Sequence, residues 1–503
     1  MAYSVAAQPK PAFPRRRVGP FRMVSRLVVA ALAGACLVLQ VHGWTALTVE
    51  AGGACGSRYG ACPQGTFPVL VGSLVLAIAT VPFAIGGLFR RPRWLSLLMV
   101  VAMVGGGFGG ARAFQFLHGA TLSQTWSAGF DNPNTLTTQG VWTTGNTVVR
   151  LRTDQVSAFD AATGAVRWTY AVPGQNEVCT ASRGTAGGVA VFGYGPESQP
   201  CANLVALDLN TGKPLWTMTP DVQDSDDSDS PIADLVAAAG NVVAVRSDAG
   251  VTAFNARTGA REWQTPSAPR CSDQFVGADP ANIVAISACE QGYVVADLDP
   301  ATGQPRWQTP IGESATNYEL ALLSTNPVVV DDSLPGDRGT DHLRVFTAQG
   351  RQDVTIDASN VTTGDGAVSL DTGGHTGSGF RSQPLYRTLV FGNTLVVASQ
   401  GIQGHVHLLG YDLGTGQRRW DTATGDEVSA LGRSGNSVLV LEDSVPSPRL
   451  ATVTATTGAS TDVGVLPGWT FGNDDTGIYQ FGAQYVVVNE NGVNPTPPVF
   501  AFR

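Results

Sequence analysis

The chain has 503 residues, 43% of them apolar, and a formal net charge of -9. Up to His118, eleven basic residues stand against one acid, Glu50; that is 11 minus 1, or +10, and leaves -9 minus 10, or -19, for the rest. So acidic a remainder repels phosphates, which argues against nucleic-acid binding there, and the length exceeds one ordinary core unless that core is built from repeats.

The chain opens on a basic tail, residues 1–26, with Arg15, Arg16, Arg17, Arg22 and Arg26. Three apolar segments follow within residues 27–118, at about 27–47, 67–89 and 94–117. As helices rising 1.5 Å per residue, the first two reach roughly 30 Å or more, enough to cross a bilayer. The third is completed past Arg112, whose head can snorkel. A cleaved signal peptide is the alternative for the first segment, but its apolar run is long and two more spans follow. Basic residues crowd the tail and "RRPR" at Arg90 to Arg93, while the loop between the first two spans carries only Arg58. The positive-inside rule therefore predicts a cytoplasmic N-terminus and an extracytoplasmic segment from residue 119 to 503. Lysine is confined to Lys10 and Lys213, a bias associated with GC-rich bacterial genomes. In the third span, Gly105/Gly109 and Gly106/Gly110 have the small-xxx-small spacing that lets helices approach closely. Cys36 lies in the first span as an apolar filler, and Cys55 and Cys62 share the predicted outer loop.

Beyond the spans the chain repeats, with a period mostly in the mid-forties. Half of each unit is an apolar strand opened by Gly or Asn, as in "GNTVVRL" from Gly145 and "GNSVLVL" from Gly435. The other half is a hairpin: "VSAFDAATGAVRW", "LVALDLNTGKPLW", "VTAFNARTGAREW", "VADLDPATGQPRW" and "LLGYDLGTGQRRW". In its turn, Asp160, Asp208, Asn255, Asp299 and Asp412 can accept from backbone N–H groups two or three residues on, and the threonines beside them can act likewise. Gly164, Gly212, Gly259, Gly303 and Gly416 supply the positive φ of a bulged hairpin. Four positions later stand Trp168, Trp216, Trp263, Trp307 and Trp420. At one register in every unit, a tryptophan reads as a docking residue between neighbouring sheets; a sugar-binding row is disfavoured because each falls on a different sheet.

Four short strands per unit predict an all-β ring of radial sheets, an eight-bladed β-propeller behind the three helices. The last unit ends at "VFAFR", halfway through its hairpin. The missing half is "TLSQTWSAGF" at the start of the region, with Trp126 in the docking position, so that the first strand pairs with the last and no sheet edge stays open.

The recurring A-x-D-x-x-T-G-x-x-x-W resembles the docking repeat of PQQ-binding-like propellers, which include quinoprotein dehydrogenases and BamB-like outer-membrane assembly lipoproteins. The resemblance covers roughly Thr121 to Arg503 and departs at Val354 and Asp462, which hold the tryptophan position and predict looser blades. Two functions come into view, the first from the spans and the loop-bearing faces of a propeller, the second from the resemblance. One is a non-catalytic scaffold or sensor, anchored in the bilayer of a bacterial cell, that binds envelope proteins or an extracytoplasmic polymer, with no cofactor, metal or catalytic residue. The other is a PQQ-dependent dehydrogenase with calcium, whose quinone lies on a disulfide between adjacent cysteines. No two cysteines are adjacent here, and neither ligands nor a base can be placed.

Within such a blade, the approach to the first strand and the loop after the second share one face. Cys179 with Cys201, and Cys271 with Cys289, are therefore expected to form disulfides, as are Cys55 and Cys62 in an oxidising compartment. "DVQDSDDSDSP" from Asp221 reads as a solvated loop, since the glycine and closing glutamate of an EF-hand are missing beside Asp224, Asp226 and Asp229. His405 and His407 share a strand face without a third metal ligand. The stretch from Asp357 to Gln383 is expected to be a long Gly/Ser/Thr loop.

Overall fold

The computed structural model describes residues 20–45, 66–89, 93–118, 120–133, 136–197, 199, 201–221, 235–247, 249–311, 319–333, 341–364, 366–372, 388–401, 406–424, 427–443, 448–466, 476–489 and 497–503. They fall into two compact units, Met1–Ala120 and Thr121–Arg503.

The first unit holds α1 (Pro20–Thr45), α2 (Thr66–Leu88) and α3 (Arg93–His118), and all three are long and apolar enough to cross a membrane. α1 begins ahead of the predicted span at Leu27, inside the basic tail. Proline suits a first helical turn, and a helix need not stop where its apolar stretch does. α1 and α3 meet through glycine. A Cβ on Gly34 would fall 1.9 Å from the Met103 carbonyl oxygen, and one on Gly106 1.9 Å from that of Ala31. Of the two spacing pairs, Gly106 and Gly110 face α1, whereas nothing lies within 4 Å of a Cβ on Gly105 or Gly109. Gln40 ties α1 to α2 by donating Nε2–H to Leu70 O and Ser73 Oγ, both at 2.7 Å.

In the second unit the described strands form eight sheets. Blades 1 to 7 occupy residues 138–171, 176–218, 236–266, 271–311, 319–357, 361–423 and 427–465, and blade 8 takes 477–502 plus the strand Gln124–Ser127. This second unit is an eight-bladed β-propeller. Second strands are covered on both faces; Thr147–Arg152 is buried throughout, which is why these strands read as unbroken apolar runs.

The ring closes by pairing its first strand with its last. Trp126 stands opposite Ala501 and Ser127 opposite Phe500, antiparallel. Leu122 donates its N–H to Val465 O of blade 7 at 2.8 Å, and Ser123 and Arg503 exchange backbone bonds at 2.9 and 3.1 Å. The segment before Gln124 thus replaces the hairpin turn that blade 8 lacks.

Blade 6 breaks the four-strand rule. The stretch expected to be a long loop from Asp357 contains a hairpin, Val361–Thr363 with Gly366–Asp371. The second strand of this blade, Thr394–Gly401, pairs with Thr388–Phe391 over one half and with Gly366–Asp371 over the other. That strand outruns its usual partner, and the insert satisfies the edge left over. Val361, Val368 and Leu370 are buried with Leu343 and Ile356 of blade 5. The rest of the stretch, from residue 373 to Gln383, lies outside the described residues.

Candidate functional site

The repeat residues build a girdle around the ring. In each intact hairpin the carboxylate or amide oxygen accepts two backbone N–H groups: Asp160 from Ala162 and Thr163 at 3.0 Å, Asp208 from Asn210 and Thr211, Asn255 from Arg257 and Thr258, Asp299 from Ala301 and Thr302, and Asp412 from Gly414 and Thr415. Gly164, Gly212, Gly259, Gly303 and Gly416 have φ between 68° and 73°, where a side chain would be strained.

The residue before each tryptophan is skipped in the ladder. Ala158 pairs with Trp168 and Phe159 with Val166, leaving Arg167 as the bulged residue. A bulge re-aims its side chain, and here it turns back to the turn acid: Arg167 to Asp160 at 2.5 Å, Arg306 to Asp299 at 2.8 Å, and Arg419 to Asp412. Where the turn residue is Asn255, the bulged residue is Glu262, and Asn255 Nδ2–H donates to it at 3.2 Å. Blade 2 has Leu215 at the bulge, and Asp208 instead receives Arg257 from the next blade's turn at 3.1 Å. This reciprocity was readable in the sequence as a charge seven positions after the turn acid, and the motif reading missed it.

Each tryptophan then docks on the following blade. A Cβ on Gly164 would lie 2.5 Å from Trp126, on Gly212 2.5 Å from Trp168, on Gly259 2.8 Å from Trp216, and on Gly303 2.3 Å from Trp263. Trp307 meets Gly350 and Trp420 meets Gly458 in the same way. The indole N–H groups of Trp126, Trp168, Trp216, Trp263 and Trp420 donate to Ala161, Leu209, Ala256, Pro300 and Ala455 carbonyls at 2.8–3.2 Å. Two residues on, Thr265 and Thr422 add hydroxyl bonds to Gly303 and Gly458 carbonyls at 2.6 and 2.8 Å. At the departures, Val354 packs on Gly416 and Asp462 pairs with Arg449 at 2.7 Å.

Cys179 is bonded to Cys201 and Cys271 to Cys289; Cys36 is free and buried. Cys55, Cys62, His405, Asp224, Asp226 and Asp229 lie outside the described residues. His407 is buried with Nδ1 2.6 Å from the Asp421 carboxylate. Among the described residues no three His, Cys, Asp or Glu side chains converge as a metal site would need.

Beside the closing strand is a cavity of about 430 Å³ between blades 8 and 1, lined by Phe130, Gln155, Ser157, Thr169 and a buried charge cluster. Arg150 meets the Asp131 carboxylate with two bonds of 2.8 Å. Arg152 meets Asp154 at 2.5 and 2.7 Å and Asp131 at 3.1 Å. Burial works against the Arg152 charge, but Asp154 and Asp131 outweigh it and hold its pKa above the ordinary value. Two cations against two anions leave polar contacts without a net charge.

The family described as outer membrane protein assembly factor BamB matches residues 180–422. The outer membrane protein assembly factor BamB of Burkholderia pseudomallei (strain K96243) is 32% identical over 174 residues, which cover 33% of this chain and 42% of that protein. The match thus spans about two fifths of the relative's length. Among solved structures, Sqt1 of Saccharomyces cerevisiae aligns with a TM-score of 0.43 and 13% identity, over 76% of this chain and 97% of its own. A chain of the mitotic checkpoint complex gives 0.36 and 13%, over 64% and 87%. The chain carries a BamB-like propeller behind three apolar helices.

Proposed function

We propose that this BamB-like propeller is a membrane-anchored binding scaffold of the bacterial envelope, holding partner proteins or an envelope polymer outside the cytoplasmic membrane without transforming them. The observation that carries the reading is the fate of the repeated carboxylates. Asp160, Asp299 and Asp412 each close their own turn and pair with an arginine of the same hairpin. Acids so engaged are frame, not general bases. A rigid frame presenting many loops suits recognition, and the relative's name concerns outer-membrane protein assembly. The basic tail and the basic link between the second and third spans support a cytoplasmic N-terminus with the propeller outside.

The dehydrogenase reading fits the described residues poorly. Its quinone needs an adjacent-cysteine disulfide, whereas the external pairs here are 22 and 18 residues apart. Crosslinking the full-length protein in its native membrane should yield adducts with envelope components, and addition of PQQ and calcium should give neither quinone absorbance nor dye reduction. Dye reduction that depends on PQQ would reverse the reading.

A further inference from the structure

At the end of the ring where each first strand turns into its second, a trough of about 490 Å³ runs across four consecutive blades. It starts at Asp279 and Pro280 of blade 4, passes Leu323 of blade 5 and Val390 of blade 6, and ends at Arg433 of blade 7. These are inner-strand ends, so the trough borders the hub.

Among the described residues Arg433 has no counter-ion. Its guanidinium carbon lies 4.5 Å from the centre of the Phe391 ring, and Nη2–H donates to Val390 O at 2.6 Å. By contrast the bulge-site arginines Arg167, Arg306 and Arg419, on outer strands, each have an acid. Among the described residues Arg433 makes no ion pair, in a unit whose net charge is strongly negative. Although the side chain reaches the surface, burial of its charged end pushes its pKa below the ordinary value. A second guanidinium, outside the lining, bonds to the residue before Leu323. Arg183 of blade 2 donates Nη1–H to Leu322 O of blade 5 at 2.5 Å, reaching past the two blades between.

The opposite end of the trough has the opposite character. Asp279 is negative, and its oxygens accept from Ala281 N at 2.6 Å, Asn282 N at 3.1 Å and Thr325 Oγ1 at 2.9 Å. A ligand lying in the trough therefore finds a cation at one end, apolar walls at Pro280, Leu323 and Val390, and a carboxylate at the other.

We propose that the trough takes an extended acidic segment of a partner protein, with one Asp or Glu carboxylate on Arg433 and an aliphatic neighbour on the apolar wall. Extent over four blades suits a strand-like peptide rather than a compact metabolite. Fixed by Phe391 and Val390 O, the guanidinium keeps donors for a two-pronged carboxylate bond and loses little freedom on binding. Asp279 sets the direction, because a second acid at that end would be repelled. The inference rests on the scaffold reading and gives it a site.

The probe is a random dodecapeptide display library panned on the full-length protein in detergent. Recovered peptides should carry an acid next to an aliphatic residue. Their binding should weaken about ten- to hundredfold with Arg433→Gln, the range of a lost charged hydrogen bond, and less with Arg433→Lys; unchanged melting of both variants shows that the fold is kept. Acid-free peptides, peptides indifferent to Arg433→Gln, or no recovered peptide would overturn the site. In cells, a photo-crosslinking residue at Ser324 should give a protein adduct that Arg433→Gln removes. Adducts from Glu290, in a turn at the other end of the ring, but none from Ser324 would overturn the trough and leave the scaffold reading standing. Adducts from neither would sink both.

Discussion

The indole of Trp126 lies against Gly164, where a Cβ would sit 2.5 Å from the ring, and its N–H donates to Ala161 O at 3.0 Å. This contact joins the closing strand to blade 1. Trp126→Ala removes both the packing and the bond; it should cost about 3 kcal/mol, near the low end for a core tryptophan because the side chain is half-buried. The midpoint of urea unfolding, followed by circular dichroism, measures it. A loss under about 1 kcal/mol would mean that the strand pairing alone holds the seam.

Asp131 serves two buried arginines. Asp131→Asn should destabilise the propeller by roughly 3 kcal/mol, since Arg150 would keep its place while losing its anion. Arg152 keeps Asp154, so Asp154→Asn, at the more exposed partner, should cost less. Comparing the two melting curves decides the order.

The Asn255–Glu262 pair replaces the Asp–Arg pair of other blades. Asn255→Asp alone sets two carboxylates together where the present contact is 3.2 Å and should lower stability. Adding Glu262→Arg should restore it, with a coupling of about 0.5 kcal/mol for a surface pair. A double-mutant cycle reads the coupling, and additive effects would refute the exchange.

Acid should loosen the girdle. The Arg167 guanidinium, aided by Thr163 and the Ala162 amide, holds the Asp160 carboxyl down at about 2. Arg306 and Arg419 likewise depress Asp299 and Asp412. A depressed carboxyl contributes stability that is full above its unfolded value of about 3.9 and is lost as pH falls toward 2. Burial raises Asp273 and Asp297, which contribute the other way, favouring the fold at low pH and less as pH rises. Unfolding free energy should therefore fall most steeply between about pH 4 and 2, and Asp160→Asn, which keeps an oxygen for the turn as Asn255 does, should flatten the fall.

Gly106→Ile should separate α1 from α3, since even a Cβ there would overlap the Ala31 carbonyl. Gly105→Ile, with nothing within 4 Å of its Cβ, should be tolerated. Thermal stability of the two variants in detergent distinguishes them, and equal losses would argue that Gly105 packs too.

The ring was legible because its determinants repeat at one register. Turn acid, glycine and tryptophan recur together, and "VFAFR" aligns with "VSAFD", Phe502 standing where Phe159 does. What escaped reading has a different physical character. The extra hairpin of blade 6 is Gly- and Thr-rich, and its strands exist because Thr394–Gly401 leaves an edge to pair; no property of Gly366 to Asp371 alone announces that. Arg183 and Arg433 look like surface arginines in the sequence. Only the packing of blades around the hub brings one to Leu322 O and the other to Val390 O. The residue before each tryptophan was readable as a pair to the turn acid, but a bulge must be seen before that pairing makes sense.

Because Gln124–Ser127 meets Val499–Phe502, the earliest-synthesised part of the ring must wait, unzipped, for the latest. During that interval a strand edge stands open a few residues after α3, an invitation to mispairing with other nascent chains. A holdase or a brief non-native cover for that edge would serve the cell until Phe502 emerges.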